Sequence, residues 1–110
     1  MDNEKKPIIK LYFMKPKASW YELTLEEKRE LHGKVRQADE VLFKKYNVKS
    51  LFVCDAFWST ENWLAFGAEE YPSIEAAQEC TLALRKLGFF THIESQVFWG
   101  TPGKPIELQF

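Results

Sequence analysis

Residues 51–68 read Leu51-Phe52-Val53-Cys54-Asp55-Ala56-Phe57-Trp58-Ser59-Thr60-Glu61-Asn62-Trp63-Leu64-Ala65-Phe66-Gly67-Ala68. They hold two apolar, strand-like runs, 51–57 and 63–68, and the polar residues between them suit a hairpin turn. Outward from this pair, helical periodicity covers 25–46 on one side and 74–87 on the other. Beyond the helices lie two further strand-like runs, 8–14 and 90–99. The chain therefore reads strand, helix, strand, strand, helix, strand. Two helices in that order cover one face of a sheet. What covers the other face decides the biology.

The helices carry their own start and stop signals. Thr24-Leu25-Glu26-Glu27 is a capping box, with the Thr24 hydroxyl meeting the amide three residues on and Glu27 reaching back. The buried stripe that follows is Leu31, Val35, Ala38, Leu42 and Tyr46, spaced by three and four. Gly33 lies inside this helix at a cost of about 1 kcal/mol relative to Ala. Ser73 caps the second helix, whose inner stripe is Ala76, Ala77, Cys80, Ala83, Leu84 and Leu87. Gly88 follows as the C′ residue, with Phe89 folding back onto Leu84.

Alternation assigns faces to the strands. Ile9, Leu11 and Phe13 are wholly apolar and are expected under the helices, with Lys10, Tyr12 and Met14 on the open face. In the second strand an ionisable Asp55 argues for Phe52, Cys54 and Ala56 beneath the helices and Val53, Asp55 and Phe57 outside. In the third, Leu64 and Phe66 are placed inward and Trp63, Ala65 and Gly67 outward, with Glu69 to Pro72 a loop. In the fourth, Ile93, Val97 and Trp99 face the helices, and Phe90, His92, Glu94, Gln96 and Phe98 the open side. That open face is too apolar to be left wet and too polar for a plain core, which points to a partly enclosed chamber between two stacked copies.

Composition narrows the classes. The 110 residues are 45% hydrophobic and 15% aromatic, enough for a packed core and against disorder. Fifteen basic and sixteen acidic residues give a net charge of -1, which disfavours nucleic acid or an anionic membrane as partner. The first seven residues lack an apolar signal region, and no run spans a bilayer, so a cytoplasmic location is expected. Cys54, in a strand, and Cys80, in a helix, read as separate reduced thiols, and no ligand-spaced His or Cys cluster marks a metal.

The element order, with strands apolar on both sides, resembles the dimeric α/β-barrel superfamily. That group includes antibiotic-biosynthesis-monooxygenase-like, EthD-like and stress-responsive barrel domains and muconolactone isomerase. The stretch from Glu70-Tyr71-Pro72-Ser73 to Leu87-Gly88 is similar to the strand-to-helix passage of GYD-type members. The resemblance implies an α+β, ferredoxin-like βαββαβ sandwich: a four-stranded antiparallel sheet with two helices on one face, dimerising as an α/β barrel. One such domain is expected over 1–110, with the alternating Ile106, Leu108 and Phe110 in 101–110 adding an edge strand. It further implies a homodimer with a semi-polar cavity for a small hydrophobic or aromatic molecule. Cofactor-independent oxygenation or isomerisation is among the activities of the group, some members bind haem, and many have no known activity. No cofactor is expected here.

His92, Glu94 and Tyr12 are the candidate catalytic residues: Glu94 would orient His92 as a general base and Tyr12 would hydrogen-bond a substrate oxygen. Asp55, Trp63, Lys10, Gln96 and Trp20 are the candidate ligand-binding residues. The plainer account of His92 and Tyr12 is a paired histidine and an amphipathic aromatic within an interface. His32 sits with Lys28 and Arg36 on the polar side of the first helix and reads as solvated surface. Two other functions share these features. A non-catalytic assembly or regulatory module would use the open face as interface alone. An RRM-like RNA binder shares the strand order, but residues 62–67 lack its basic motif.

Overall fold

The structure, a computed structural model, describes residues 6–103. Its elements are β1 (Ile8–Pro16), α1 (Ala18–Tyr21), α2 (Leu25–Tyr46), β2 (Lys49–Asp55), β3 (Ala65–Tyr71), α3 (Ile74–Lys86), α4 (Phe89–His92) and β4 (Ile93–Gly100). The four strands form one antiparallel sheet in the order β2-β3-β1-β4. This is the split βαβ arrangement, an α+β fold of the ferredoxin-like kind. No helix among the described residues is long and apolar enough to cross a membrane. The residues expected to add an edge strand, 106–110, lie outside the described residues.

Both long helices start and end where local chemistry dictates. The Thr24 hydroxyl accepts the Glu27 amide at 3.1 Å, and the Thr24 amide donates to Glu27 Oε1 at 2.9 Å. Asn47 closes α2 in the left-handed region at φ 57°, a conformation its short polar side chain tolerates. Ser73 Oγ accepts the Ala76 amide at 3.1 Å and starts α3, and Gly88 follows its end at φ 81°. Val48, Tyr71, Ala76, Ala77 and Cys80 form the buried core cluster, with Ile8, Leu42, Phe43 and Tyr46 packed against it.

The strand faces overturn much of the expected parity. Tyr12 lies opposite Gly67 and Val97, and Phe13 opposite Phe66 and Gln96. Lys10, Tyr12 and Met14 therefore point toward the helices, and Ile9, Leu11 and Phe13 toward the open face. The same pairing turns Val53, Asp55, Ala65 and Gly67 to the helix side, and Phe52, Cys54 and Phe66 outward. β3 also runs on to Tyr71, so Glu69 and Tyr71 are strand residues facing the helices rather than loop. Two physical facts fix this register. A Cβ at position 67 would collide with the Tyr12 ring and the Phe52 carbonyl, so the glycine sits where that ring crosses the sheet. The wholly apolar set is also better served on the open face, where Phe13 packs on Phe66 and Trp63 at ring distances of 5.6 and 5.8 Å. Because side chains alternate, a one-residue difference in phase reverses every position.

β4 keeps its expected faces. Ser95, Val97 and Trp99 turn to the helices, while Glu94, Gln96 and Phe98 turn outward. Residues 90–92, expected as the start of that strand, are instead the helical turn α4. Gly88 gives the turn its entry, and the Lys17 amide and ammonium donate to the His92 and Phe90 carbonyls at 2.8 Å each. Cys54 and Cys80 lie on opposite sides of the sheet, and both are free thiols.

Candidate functional site

Between the sheet and the long helices lies a cavity of about 300 Å³. Six of the eight elements contribute to it, all but α1 and β2. Alternate residues of β1 supply Lys10, Tyr12 and Met14, and the extension of β3 supplies Glu69 and Tyr71. From α2 come His32, Val35, Arg36, Asp39 and Phe43, whose spacing of three and four residues keeps them on one stripe. Cys80 and Leu84 of α3 and Phe89 and Phe90 of α4 complete the apolar wall, with Ser95 and Val97 of β4 beside them.

Three polar groups of this cavity, Lys10, Glu69 and Tyr71, form a connected set. Lys10 is only 8% exposed, and its ammonium lies 3.8 Å from Glu69 Oε1. That ammonium also sits 5.6 Å from the centre of the Trp99 ring and 5.8 Å from that of Tyr12, within cation–π range. The Tyr71 hydroxyl donates to Glu69 Oε1 at 2.7 Å. Glu69 is thus held by one hydrogen bond and one ion pair, and Lys10 by one carboxylate and two aromatic faces. None of the ion pairs among the described residues includes Asp39.

Protonation follows from this arrangement. Burial, reinforced by the charge of Glu69, pushes the Asp39 carboxyl up to about 6, and Lys10 offsets only part of that. Burial and then the charges of Glu69 and Asp39 push the Tyr12 phenol up to about 12. Tyr71 is raised for the same reasons, burial first and Glu69 next. The Cys80 thiol is pushed up to about 11 by burial and then by Asp39 and Glu69, so it is a neutral wall residue rather than a thiolate. Asp39 is therefore an acid whose proton comes off near neutral pH, in the same cavity as Lys10 and a neutral phenol. That is what general acid–base chemistry needs.

Of the residues singled out from the sequence, Lys10 and Tyr12 come together here, although each was assigned to the other face. The remaining ones do not converge with them. His92 is in α4, its Nδ1 2.9 Å from Ser19 Oγ, where it ties α1 to the end of the helical layer. Glu94 lies opposite Lys15 and Gln96 opposite Phe13, so both are on the open side of an edge strand. Tyr12, His92 and Glu94 do not share a pocket, because α4 takes His92 out of the strand alternation and Tyr12 leaves from the other face. Asp55 lies opposite Ala65 at the far edge of the sheet, exposed. Trp63 packs on Phe13 with the Lys15 ammonium 5.5 Å over its ring, and Trp20 in α1 is covered by Lys28 at 5.7 Å.

Asp39, Glu69 and Tyr71 are not marked as site residues from the sequence, and His32 and Arg36, read as solvated surface, are exposed and also line the cavity. A usable signal was present. His32, Arg36, Asp39 and Phe43 follow one helical stripe immediately beside Leu31, Val35 and Leu42, so they border the buried face instead of opposing it. Among the described residues no group of three or more His, Cys, Asp or Glu could hold a metal ion.

No family model matches the sequence, and no curated protein matches it. Solved structures do. A protein of unknown function from Rhodopseudomonas palustris superposes with a TM-score of 0.63 at 17% identity, over 92% of this chain and 85% of its own. Chlorite dismutase from Candidatus Nitrospira defluvii gives 0.66 at 12% identity, over 94% of this chain and 43% of its own. A protein from Bacteroides fragilis, described as dimeric, of unknown function and ferredoxin-like in fold, gives 0.55 at 15% identity, over 86% of this chain and 95% of its own. At these identities the likeness is one of fold, and the fold that this chain shares is the ferredoxin-like one.

Proposed function

We propose that the chain is a homodimer, joined through its open sheet faces as a dimeric α/β barrel, and that the cavity of each copy binds a small hydrophobic or aromatic molecule and moves a proton on it without a cofactor. The observation that carries this reading is that Asp39, its carboxyl raised to about 6, lines the same cavity as Lys10, with Leu84, Phe89, Phe90 and Val97 as apolar wall. Asp39 as carboxylate takes a proton from an acidic C–H or O–H of the bound molecule. Lys10 and the Tyr12 hydroxyl stabilise the negative oxygen that forms. Return of the proton at another carbon is an isomerisation. The neighbour described as dimeric supports self-association, as does the aromatic cluster on the open face.

A methyl-resolved NMR titration with phenylacetone, a small aromatic ketone with exchangeable C–H groups, tests this reading. Binding should shift Val35, Leu84 and Val97 and leave Ile74, outside the cavity, unmoved. In deuterated buffer the protein should speed deuterium uptake at the carbons beside the ketone, and Asp39→Asn should abolish that while keeping the binding shifts. Absence of shifts at the cavity methyls would defeat the reading.

A further inference from the structure

The chemistry of the cavity rim specifies the charge of the molecule that enters. Inside, Glu69 is committed to Lys10 at 3.8 Å and to the Tyr71 hydroxyl at 2.7 Å, so its charge is answered within the protein. On α2, one turn separates His32 from Arg36, and both line the cavity while remaining exposed. Among the described residues Arg36 takes part in no ion pair. A guanidinium at the mouth of an apolar cavity, with a histidine one turn away on the same helix, offers a planar fork of donors to an incoming anion. The cavity, about 300 Å³, is at the small end of ligand sites and suits a single ring.

Resting on the proposed cavity function, we infer that the ligand is a small aromatic carboxylate, its ring among Phe43, Leu84, Phe90 and Val97 and its carboxylate on Arg36 and His32 at the rim. The groups facing Asp39 set how binding depends on pH. They are His32 and Arg36 on α2, Lys10 and Tyr12 on β1, Glu69 and Tyr71 on β3, and Cys80 on α3, while α4 and β4 contribute Phe89, Phe90, Ser95 and Val97. A bound anion adds a like charge beside Asp39 and favours its protonated form, so binding takes up a proton once the free carboxyl has ionised. Affinity therefore falls as pH rises through 6.

The test compares benzoate with benzamide, its neutral isostere, by NMR titration of the whole protein at pH 5.5 and pH 8. At pH 5.5 benzoate should bind about tenfold or more tightly than benzamide, the equivalent of one charge-assisted contact. Arg36→Gln should erase that preference and Arg36→Lys should keep part of it; both change an exposed side chain and leave the fold intact. Asp39→Asn should flatten the decline in benzoate affinity toward pH 8. Equal or tighter binding of benzamide, with shifts at Val35 and Val97, overturns the carboxylate inference and leaves the cavity reading standing. Benzoate binding unchanged by Arg36→Gln overturns it as well. If neither compound shifts the cavity methyls, the cavity reading itself has failed.

Discussion

An ammonium 8% exposed is tolerated only if its surroundings repay the lost hydration, and for Lys10 they do so with one carboxylate and two aromatic faces. Asp39 has no such arrangement, and its ionisation is penalised by burial and by Glu69. The sign of its effect on stability follows. The folded state binds this proton up to about pH 6 and the unfolded state only to about pH 4, so the folded state loses stability across that window and stays lower above it. Asp39→Asn removes the penalty. Its melting temperature should match the parent near pH 4 and exceed it at pH 8, by the equivalent of about 1 kcal/mol after allowance for solvent screening. Thermal unfolding across this pH range checks it, and an equal difference at both ends would show that ionisation of Asp39 costs nothing. Gly67 is constrained sterically instead. Any Cβ there meets the Tyr12 ring and the Phe52 carbonyl. Gly67→Ala should cost about 1–3 kcal/mol in denaturant unfolding and displace Tyr12 from the cavity.

Elements whose signals are local were legible in the sequence. The α2 capping box, the Ser73 cap of α3, Gly88 in the left-handed region and the order of strands and helices all follow from spacing within a few residues. Strand faces are not local. The inward placement of Phe52 rested on the premise that Asp55 would avoid the helices, and that of Ile9, Leu11 and Phe13 on the premise that the most apolar set faces them. The exposed edge position of Asp55, where its charge stays solvated on the helix side, breaks the first premise, and an open face rich in aromatics breaks the second. β4 kept its phase because Val97 and Trp99 serve the helical side whether or not a cavity lies above them. The turn α4 was missed because Phe90 and His92 continue the alternation of β4 in sequence, while the break comes from Gly88 and from the Lys17 contacts 73 residues or more away in the chain. Helix α2 also supplies more of the cavity lining than any other element, His32, Arg36 and Asp39 included. Its N-terminal anchoring therefore matters for function. Thr24→Ala removes one half of the capping box and should lower stability by about 1 kcal/mol in urea unfolding, without altering chemical shifts around Tyr71.

At the scale of the whole molecule, one face of the sheet carries no second layer among the described residues. Phe13 is its hub, with Phe66 at 5.6 Å, Trp63 at 5.8 Å and Phe98 at 6.4 Å, and Phe52 joins through Phe66 at 6.5 Å. Phe52 and Phe98 are 46% and 52% exposed, and Tyr71 is the single large side chain among the described residues that is fully buried. A sheet that wets this much aromatic surface gains by pairing with another apolar face, and an identical face from a second copy offers the same rings about a two-fold axis. Glu94 and Gln96 on the edge strand would then border the contact, where solvent still reaches them. Pairing of this kind binds the folded state alone, so the melting temperature should rise with protein concentration. Phe13→Glu places a carboxylate at the centre of the contact, and burying it unpaired would cost several kcal/mol. Sedimentation should show a parent dimer at micromolar concentration and a Phe13→Glu monomer whose melting no longer depends on concentration. The variant leaves the cavity side of the sheet untouched, so its benzoate-induced shifts at Val35 and Val97 should survive. A parent that sediments as a monomer at micromolar concentration would refute the dimer, and an intact Phe13→Glu dimer would place the contact on another surface.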